Sequence, residues 1–324
     1  MGYEPPFHLT DETVNLVAAI SETIGRLSSA KGLSRSPHLR RENRIKSIQS
    51  SLAIEQNTLT VDEVTAVIEG RRVLAPPKDI REVQNAFDAY EALSSLNPFS
   101  IDDLLKAHGF MMAGLIKDAG RFRMGNVGVF AGEALVHAGT PAAYVPQVVA
   151  DLFQWLKETQ THPLVSSCVF HSEFEYIHPF SDGNGRTGRL WHSLLLQRWN
   201  PLFEWLPVES LVAEHQFEYY DALGASQREG DCTPFVEFML GVILQTIESF
   251  DVEQINEQLN EQINERQRQI VSFLNQNPKA TIDGIAMSAG VSAATVRRDL
   301  AKLRELGIVQ REGSRKSGRW KVVG

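Results

Sequence analysis

The twelve residues His178–Arg189, HPFSDGNGRTGR, form a polar, turn-rich stretch between two apolar ones. Apolar side chains recur at helical spacing on both sides, at Val169, Phe170, Phe174 and Ile177 before it and at Leu190, Leu194 and Leu195 after it. Apolar residues three or four positions apart share one face of a helix. The sequence therefore predicts two buried helices joined by a short loop, with the second helix beginning inside the polar stretch.

Helical periodicity continues through most of the chain. Its 324 residues with 43% hydrophobic content suffice for one large domain with a core and a smaller appended one. A first helix follows a capping Thr10, and a short helix ends at Gly70. Further helices are predicted near residues 38–55, 80–96, 101–117, 143–158, 165–177, 186–198, 208–228 and 233–249. The pattern predicts a mainly α fold.

Residues 120–139, GRFRMGNVGVFAGEALVHAG, break this periodicity. Glycines lie in and around two short segments with β propensity, 127–130 and 134–137. Two such segments separated by a glycine-containing turn are typical of a hairpin, so we expect a β-hairpin inserted into the helical domain.

A different pattern begins after residue 250. The polar stretch 251–270 carries Ile255, Leu259 and Ile263 every four residues, which predicts a connecting helix. Its apolar stripe is suited to pack on its own chain or to form a dimer seam. From residue 264 the order is helix, short helix, basic helix, strand, basic loop and strand. This order is that of a winged helix-turn-helix.

The positive charge of the chain is concentrated in this last segment. Residues 291–324 hold nine Lys/Arg against three Asp/Glu, whereas the whole chain holds 32 against 40. The basic residues are Arg297, Arg298, Lys302 and Arg304 on the third helix and Arg315, Lys316 and Arg319 on the wing. DNA binding through residues 292–319 and a role in protein contacts or dimerisation both remain open.

The polar stretch itself contains the residue types that bind phosphate. Gly183, Asn184 and Gly185 stand where the second helix begins, so their backbone N–H groups can bind an anion. Arg186 and Arg189 lie three residues apart on one face of that helix. Two arginines beside an anion site indicate a di- or triphosphate rather than a single carboxylate.

Asp182 and His178 complete the candidate site. A carboxylate amid positive charge is suited to hold Mg²⁺ that bridges phosphates. A histidine is suited to act as a general base near neutral pH. Two other interpretations remain open: an ordinary helix–loop–helix with a structural ion pair, and a metal site formed by His171, His178 and His192, which lack the HxxxH or HExxH spacing.

HPFSDGNGRTGR fills every specified position of the Fic family signature, His-Pro-Phe-x-Asp/Glu-Gly-Asn-Gly-Arg-x-x-Arg. The resemblance extends over roughly residues 40–250 and implies a Fic-type helical domain with a hairpin flap, followed here by the winged helix. Fic proteins mostly transfer AMP from ATP to a protein hydroxyl. The resemblance therefore implies that His178 deprotonates that hydroxyl and that Asp182 holds Mg²⁺. It implies ATP binding by Gly183, Asn184, Gly185, Arg186, Thr187, Gly188 and Arg189.

Two more stretches resemble parts of Fic proteins. GRFRMGNVGV resembles the flap, whose exposed edge we expect to pair with an extended segment of a target protein, through Val127, Gly128, Val129 and Phe130. A purely structural hairpin is the alternative. YYDALGASQREGDCTPFVEFML resembles the closing helices. Its Tyr219 and Tyr220 are expected either to wall the adenine pocket or to belong to the core.

Glu55 lies on the apolar face of its helix. Ile45, Ile48, Leu52 and Glu55 follow 3-4-3 spacing, so the carboxylate needs a partner or a proton. A structural ion pair with a local Lys or Arg, or a helix end that reaches water, would satisfy it. SSLAIEQNTLT also resembles the Fic inhibitory motif Ser/Thr-x-x-x-Glu-Gly/Asn, with Ser51 and Glu55 in the key positions. The resemblance implies that Glu55 pairs with Arg189 and blocks the γ-phosphate. Gln56 departs from the usual Gly or Asn, which we expect to weaken or retune the inhibition.

The leading hypothesis is a protein adenylyltransferase that depends on Mg²⁺ and ATP, modifies a target protein or itself, and is inhibited by Glu55. A hydrolase that removes AMP and a DNA-binding regulator with a nucleotide-sensing Fic domain remain as alternatives. We expect four segments: an N-terminal helical region (1–100), the catalytic core (101–250), a connecting helix (251–263) and the winged helix (264–324).

The location of the protein is also an expectation from sequence. The first residues show no signal-peptide pattern, and no run approaches the roughly 20 apolar residues of a membrane span. The two cysteines, Cys168 and Cys232, form no CxxC pair. We therefore expect a cytoplasmic protein without a membrane partner, with homodimerisation left open.

Overall fold

A computed structural model describes residues 3–29, 37–131, 134–250, 263–306, 308–312 and 319–322. Within these ranges it contains fourteen α-helices and two antiparallel two-stranded sheets. The described residues form two compact units, one within Met1–Ser21 and Asn43–Thr246 and the other within Glu22–Glu42 and Ile247–Gly324. The predicted mainly α fold is confirmed.

Eleven of the described helices come before residue 250. They are α1 (Asp11–Ser29), α2 (Pro37–Ile54), α3 (Val61–Ile68), α4 (Pro77–Ala92), α5 (Ile101–Met111), α6 (Val145–Glu158), α7 (Pro163–Ile177), α8 (Asn184–Trp199), α9 (Val208–Glu214), α10 (Gln216–Glu229) and α11 (Thr233–Ser249). Short 3₁₀ turns follow α4, precede α6 and follow α8, at Leu93–Ser95, Ala142–Tyr144 and Pro201–Glu204.

Helices α7 and α8 are the buried pair predicted from the sequence. Phe170 and Phe174 on α7 and Trp191 on α8 are fully buried. Almost every residue of α7 is buried, polar ones included. A side chain on this helix therefore needs a partner inside the protein, and the loop between α7 and α8 is held by the core on both sides.

Two helices differ from the prediction. Residues 101–117 were expected to form one helix, but α5 ends at Met111. The side-chain amide of Asn85 on α4 donates to the carbonyl oxygens of Met111 and Ala113, at 3.2 and 2.9 Å, and so satisfies the carbonyls of the helix end. The predicted helix over 208–228 is divided at His215 into α9 and α10.

The hairpin predicted over residues 120–139 consists of β1 (Gly128–Ala131) and β2 (Ala134–Ala138). The register pairs Gly128 with Ala138 and Val129 with His137, and then shifts before Phe130. Val127 precedes the strand, and its carbonyl accepts the N–H of Gly139 at 3.2 Å. The base of the hairpin is therefore closed by one more backbone hydrogen bond.

The C-terminal segment forms the predicted winged helix. It consists of α12 (Glu265–Gln276), α13 (Ile282–Ala289), α14 (Ala293–Glu305), β3 (Val309–Glu312) and β4 (Arg319–Val322). Asn264, Thr281 and Ser292 cap the three helices with their side chains. Its core is formed by Ile263, Ile270, Leu274, Ile285, Val296, Leu300, Leu303, Leu306, Val309 and Trp320. Arg315, Lys316 and residues 251–262 of the predicted connecting helix lie outside the described residues.

None of the described helices is long and apolar enough to cross a membrane. The boundaries of the four predicted segments stay a prediction.

Candidate active site

His178 stands at the point where α7 ends. It adopts the left-handed conformation, with φ 52° and ψ 62°, so the chain leaves the helix sharply at this residue. Its ring Nδ1 lies 3.4 Å from the carbonyl oxygen of Glu175. A non-glycine residue in this conformation carries backbone strain, which the surrounding structure must overcome.

Arg123, at the foot of the hairpin, provides that support. The buried guanidinium donates through Nε to the His178 carbonyl at 2.7 Å, and through its other nitrogens to the carbonyls of Gly125, Thr140 and Ile177. Burial lowers the pKa of Arg123. One side chain thus links both ends of the hairpin to the end of α7.

The start of α8 has the backbone geometry of an anion site. Gly183 precedes the helix with φ 81°, and a side chain there would come within 2.5 Å of the Met112 sulfur. The Asn184 side chain accepts the N–H of Phe180 at 2.8 Å and donates to the Phe180 carbonyl at 2.9 Å. Asn184 therefore closes the loop, and the first N–H groups of α8 have no acceptor within the helix.

Asp182 is held by its backbone while its side chain faces outward. The His108 ring on α5 stacks on Phe180 at 3.6 Å between centroids. Its Nδ1 accepts the N–H of Gly120 at 2.9 Å, so Nε2, 3.0 Å from the Asp182 carbonyl, carries the proton. Burial lowers the pKa of His108 to about 4, which keeps this ring neutral. The Asp182 carboxylate is 54% exposed and accepts the N–H of Gly183 at 2.6 Å.

Arg186 faces two carboxylates. Its NH1 lies 3.0 Å from Glu82 Oε1 on α4, and its NH2 lies 3.1 Å from Asp182 Oδ1. Both Arg186 and Glu82 are buried. Two acids balance the guanidinium charge, so Arg186 braces the loop in this structure in addition to its predicted role as a phosphate ligand.

Arg189 faces Glu55. Its NH2 donates to Glu55 Oε1 at 2.8 Å and to the Ser51 carbonyl at 2.9 Å, and its Nε donates to the Ser51 hydroxyl at 3.1 Å. Burial alone lowers the pKa of Arg189, but Glu55, Tyr219 and Glu175 together outweigh burial and hold that pKa above its usual range, with Glu55 contributing most. The pair predicted between the two helices is therefore formed.

The Glu55 carboxylate also lies against the backbone at the start of α8. A side chain at Gly185 would collide with Glu55 Oε1 and would come within 2.9 Å of Arg189 NH1. The absence of a side chain at Gly185 is what allows the carboxylate to approach. Glu55 Oε1 thus lies beside the N-terminus of α8.

The end of α2 explains why the family motif prefers Gly or Asn after the glutamate. The N–H of Asn57 bonds the Leu52 carbonyl at 3.0 Å, and the N–H of Gln56 bonds the Ala53 carbonyl at 2.9 Å. These two bonds form a Schellman cap, whose penultimate residue is left-handed. Gln56 occupies that position with φ 67°. Glycine adopts this conformation freely, whereas glutamine is strained in it.

Known proteins resemble this chain in sequence and fold. The Fic/DOC family matches residues 98–196, and a DeoR-like helix-turn-helix domain matches residues 266–313. The crystal structure of a Fic family protein from Desulfovibrio desulfuricans G20 is 42% identical, covers 99% of both chains and superposes with a TM-score of 0.74. This chain belongs to the Fic family.

Other Fic proteins cover less of the chain. Protein adenylyltransferase fic-1 of Caenorhabditis briggsae is 32% identical over 214 residues, which are 61% of this chain and 39% of that protein. The chain therefore spans less than half the length of that curated relative. Residues 134–508 of Fic-1 from C. elegans, a solved structure, share the fold at 24% identity and a TM-score of 0.63, covering 76% of this chain and 73% of that one.

The two tyrosines expected at the adenine pocket lie in different environments. Tyr219 is buried, with its hydroxyl 3.2 Å from His171 Nε2, which is the core position that the sequence left open. Tyr220 is 48% exposed. A cleft of about 280 Å³ adjoins the same helix, α10, and its lining includes Leu223, Gln227 and the exposed Tyr176 of α7.

The remaining predicted residues are internal. Thr187 is fully buried, and a side chain at Gly188 would press into Glu175 and Phe174 of α7, so both positions serve the packing of the two Fic helices. His171 and His192 are also buried, with ring centroids 5.1 Å apart. Seven residues of helix, about 10 Å, separate His171 from His178. The structure does not bring these three histidines together.

Sequence reasoning missed Glu82 as well as Arg123. Glu82 shares a helical stripe with the buried Ala86 and Ala89, and this is the signal that identified Glu55. Applied to α4, the same reasoning would have predicted a buried partner for Glu82. Arg123 has no such signal, because its partners are backbone carbonyls.

Proposed function

We propose that this Fic protein transfers AMP from ATP to a hydroxyl group of a protein, either a separate target or the chain itself. The observation that carries the proposal is the loop between α7 and α8, where His178 and Arg189 flank a helix N-terminus suited to bind phosphate. The name of the C. briggsae relative, a protein adenylyltransferase, supports this reaction and does not favour AMP removal.

In the proposed reaction His178 acts as the general base. Its imidazole takes the proton of the attacking hydroxyl while the hydroxyl oxygen bonds to the α-phosphorus of ATP. The bond between that phosphorus and the oxygen bridging to the β-phosphate breaks, and pyrophosphate leaves. The N–H groups at the start of α8 and the guanidinium of Arg189 hold phosphate oxygens as their charge redistributes.

Asp182 is the residue that we propose to hold Mg²⁺. Mg²⁺ commonly takes one or two protein carboxylates and completes its shell with phosphate oxygens and water. A half-exposed carboxylate on a firmly held backbone fits that requirement. When bound, Mg²⁺ would neutralise charge on the phosphates.

We propose that the cleft between α7 and α10 holds the adenine base. Tyr220 lies close enough to Glu55 and Arg189 for their charges to shift the Tyr220 pKa, which burial raises in the first place. Leu223 and Gln227 follow on the same helix and line the cleft. In this proposal the phosphates bind at the start of α8 and the base binds along α10. Tyr219, inside the core, would support this wall rather than contact the base.

The hairpin is proposed to align the target. In the part of the chain that the structure describes, its sheet has two strands, so one edge of β1 is available to pair with an extended segment. Arg123 joins the foot of this hairpin to the His178 carbonyl. A target strand on Val127–Phe130 would thereby be positioned relative to the base.

We further propose that the resting enzyme is inhibited. Glu55 engages Arg189 and lies against Gly185, so a γ-phosphate would compete with the carboxylate for the same cation. The segment Ser51–Asn57, which we call the inhibitory segment, carries this carboxylate.

Position-specific labelling of ATP tests the proposed reaction. The Glu55→Gly chain should incorporate label from the α-phosphate into protein and none from the γ-phosphate. His178→Ala in the same background should lose about 10²–10⁴ of the rate while still binding ATP, because only the base is removed. Incorporation of γ-label, or unchanged labelling without His178, would refute AMP transfer by this mechanism.

DNA binding is a second candidate function, carried by the winged helix. On α14 the side chains of Arg297, Arg298 and Lys302 are exposed, whereas Val296 and Leu300 face the core. The DeoR-like domain match supports this use of the helix. In a mobility-shift assay Arg297→Ala should weaken binding and reduce its salt dependence, whereas Lys106→Ala on α5 removes equal charge and should not. Equal shifts by both variants, or none by the wild type, would argue for a protein-contact role.

A further inference from the structure

Glu82 joins two functional parts of the Fic domain. Its Oε1 accepts from Arg186 NH1 at 3.0 Å, and its Oε2 accepts from the side-chain amide of Asn57 at 2.9 Å. Glu82, Arg186 and Asn57 are all buried. A buried carboxylate whose two oxygens serve different segments fixes the distance between those segments, because neither bond can move without leaving a buried polar group unpaired.

One end of this bridge is the inhibitory segment. Asn57 closes the Schellman cap of α2 through its N–H, and its Oδ1 accepts the N–H of Leu59 at 3.2 Å. Glu55 lies two residues earlier, in the same cap. The bond from Asn57 to Glu82 therefore holds the turn that presents the Glu55 carboxylate to Arg189.

The other end is the phosphate loop. Arg186 uses its second nitrogen for Asp182, at 3.1 Å. The chain of contacts Glu82, Arg186, Asp182 runs from the rigid helix α4 to the carboxylate proposed for Mg²⁺. Helix α4 is itself fixed one turn later, where Asn85 binds the end of α5.

We propose that Glu82 is a positioning residue that sets both the strength of inhibition by Glu55 and the orientation of Asp182. This inference rests on the proposed function, and it adds that one carboxylate outside the signature controls both the resting and the active arrangement. Loss of the bond from Asn57 to Glu82 loosens the inhibitory segment only. Loss of the Glu82 charge weakens both this bond and the contact with Arg186.

Two variants of nearly unchanged shape distinguish the contact of Glu82 with Asn57 from its contact with Arg186. Asn57→Asp removes the amide bonds to Glu82 Oε2 and to the Asp79 carbonyl and places a second carboxylate beside Glu82, but it keeps the acceptor for Leu59. Glu82→Gln keeps the shape but removes the charge and one acceptor. Asp88→Asn, an exposed position on the same helix, is the matched control for charge.

Amide hydrogen exchange tests the bridge without reference to activity. Glu82→Gln should accelerate exchange about tenfold in residues 55–59 and at the start of α8, the effect expected from losing a hydrogen bond to a charged group. Asn57→Asp should do so in residues 55–59 alone, and Asp88→Asn in neither. Unchanged exchange in Glu82→Gln would overturn the proposal.

Labelling then tests what the bridge does. With Glu55 present, Asn57→Asp and Glu82→Gln should each raise AMP labelling about tenfold. The double variant should add little, since both variants remove the bond between Asn57 and Glu82. With Glu55→Gly, Asn57→Asp should change nothing, whereas Glu82→Gln should raise the Mg²⁺ concentration for half-maximal labelling several-fold. Additive effects, or an unchanged Mg²⁺ requirement, would refute the positioning role. If Glu55→Gly itself transfers no AMP, the proposed function fails, and the exchange result still decides the bridge.

Discussion

Glu55 and Glu82 make similar ion pairs in different settings. Each lies on the apolar side of its helix, and each binds an arginine of α8 at about 3 Å: Glu55 to Arg189 at 2.8 Å and Glu82 to Arg186 at 3.0 Å. The Glu82 side chain is only 6% exposed, and Arg186 has Asp182 as a second acid. The Glu55 side chain is 28% exposed, follows the end of its helix and precedes a strained Gln56. We propose that this difference in burial and in position along the helix, rather than the type of bond, makes Glu82 a permanent support and Glu55 a carboxylate that a phosphate can displace.

The largest contrast is expected in stability. Arg186→Gln removes the buried cation of Glu82 and leaves only the exposed Lys78, 3.8 Å away. It should lower the free energy of unfolding by up to about 3–5 kcal/mol. Arg189→Gln leaves Glu55 able to reach water and should cost about 1–2 kcal/mol. Denaturant titration of the two variants measures the difference. Equal losses would mean that the two pairs are equivalent braces.

The second contrast is in activity. In the Glu55→Gly background, Arg189→Ala should lose about 10²–10³ in AMP labelling, the range for removing one donor to developing charge. Restoring Glu55 to the Arg189→Ala chain should change nothing further, because the carboxylate has lost its target. Strong inhibition by Glu55 without Arg189 would show that the carboxylate acts elsewhere, for example directly at Gly185.

Glu175 is a buried glutamate without a Lys or Arg in ion-pair contact among the described residues. Burial raises the pKa of Glu175 from 4.5 to about 7, although Arg189 lowers it in part. The folded protein thus binds the proton more tightly than the unfolded chain, so this group costs stability as the pH rises from about 4.5 to about 7. Glu175→Gln should raise the free energy of unfolding by up to about 3 kcal/mol at pH 8 and by little at pH 5. A gain independent of pH would show that the carboxyl is not the titrating group.

The smallest effect tests the helix end. Gln56→Gly removes the strain of a left-handed glutamine, about 1 kcal/mol. The substitution should stabilise the helix cap that holds Glu55 against Arg189, and because inhibition is then stronger, AMP labelling should fall about fivefold. Gln56→Ala retains the strain, is the matched control, and should label like the wild type. Equal labelling by the wild type, Gln56→Gly and Gln56→Ala would show that the backbone strain at Gln56 has no effect on inhibition by Glu55.

The sequence predicted most of the elements and the two sides of the Glu55–Arg189 contact. Spacing of apolar residues identified α7, α8 and the buried face that carries Glu55, because helical period survives in any packing. It did not predict that α5 ends at Met111, since the cause is Asn85 from another helix. Nor could spacing separate Tyr219 from Tyr220, which are adjacent but face opposite environments. Residues that act through backbone carbonyls, such as Arg123, leave no pattern in the sequence.

The central claim is that Glu55 holds Arg189 away from ATP. The most direct test compares AMP labelling by the wild type, Glu55→Gly and the charge control Asp88→Asn at equal protein and ATP concentrations. A coupling of about 1–3 kcal/mol between the carboxylate and nucleotide binding predicts roughly 5- to 150-fold more labelling by Glu55→Gly, with Asp88→Asn equal to the wild type. Equal labelling by all three chains would contradict the account.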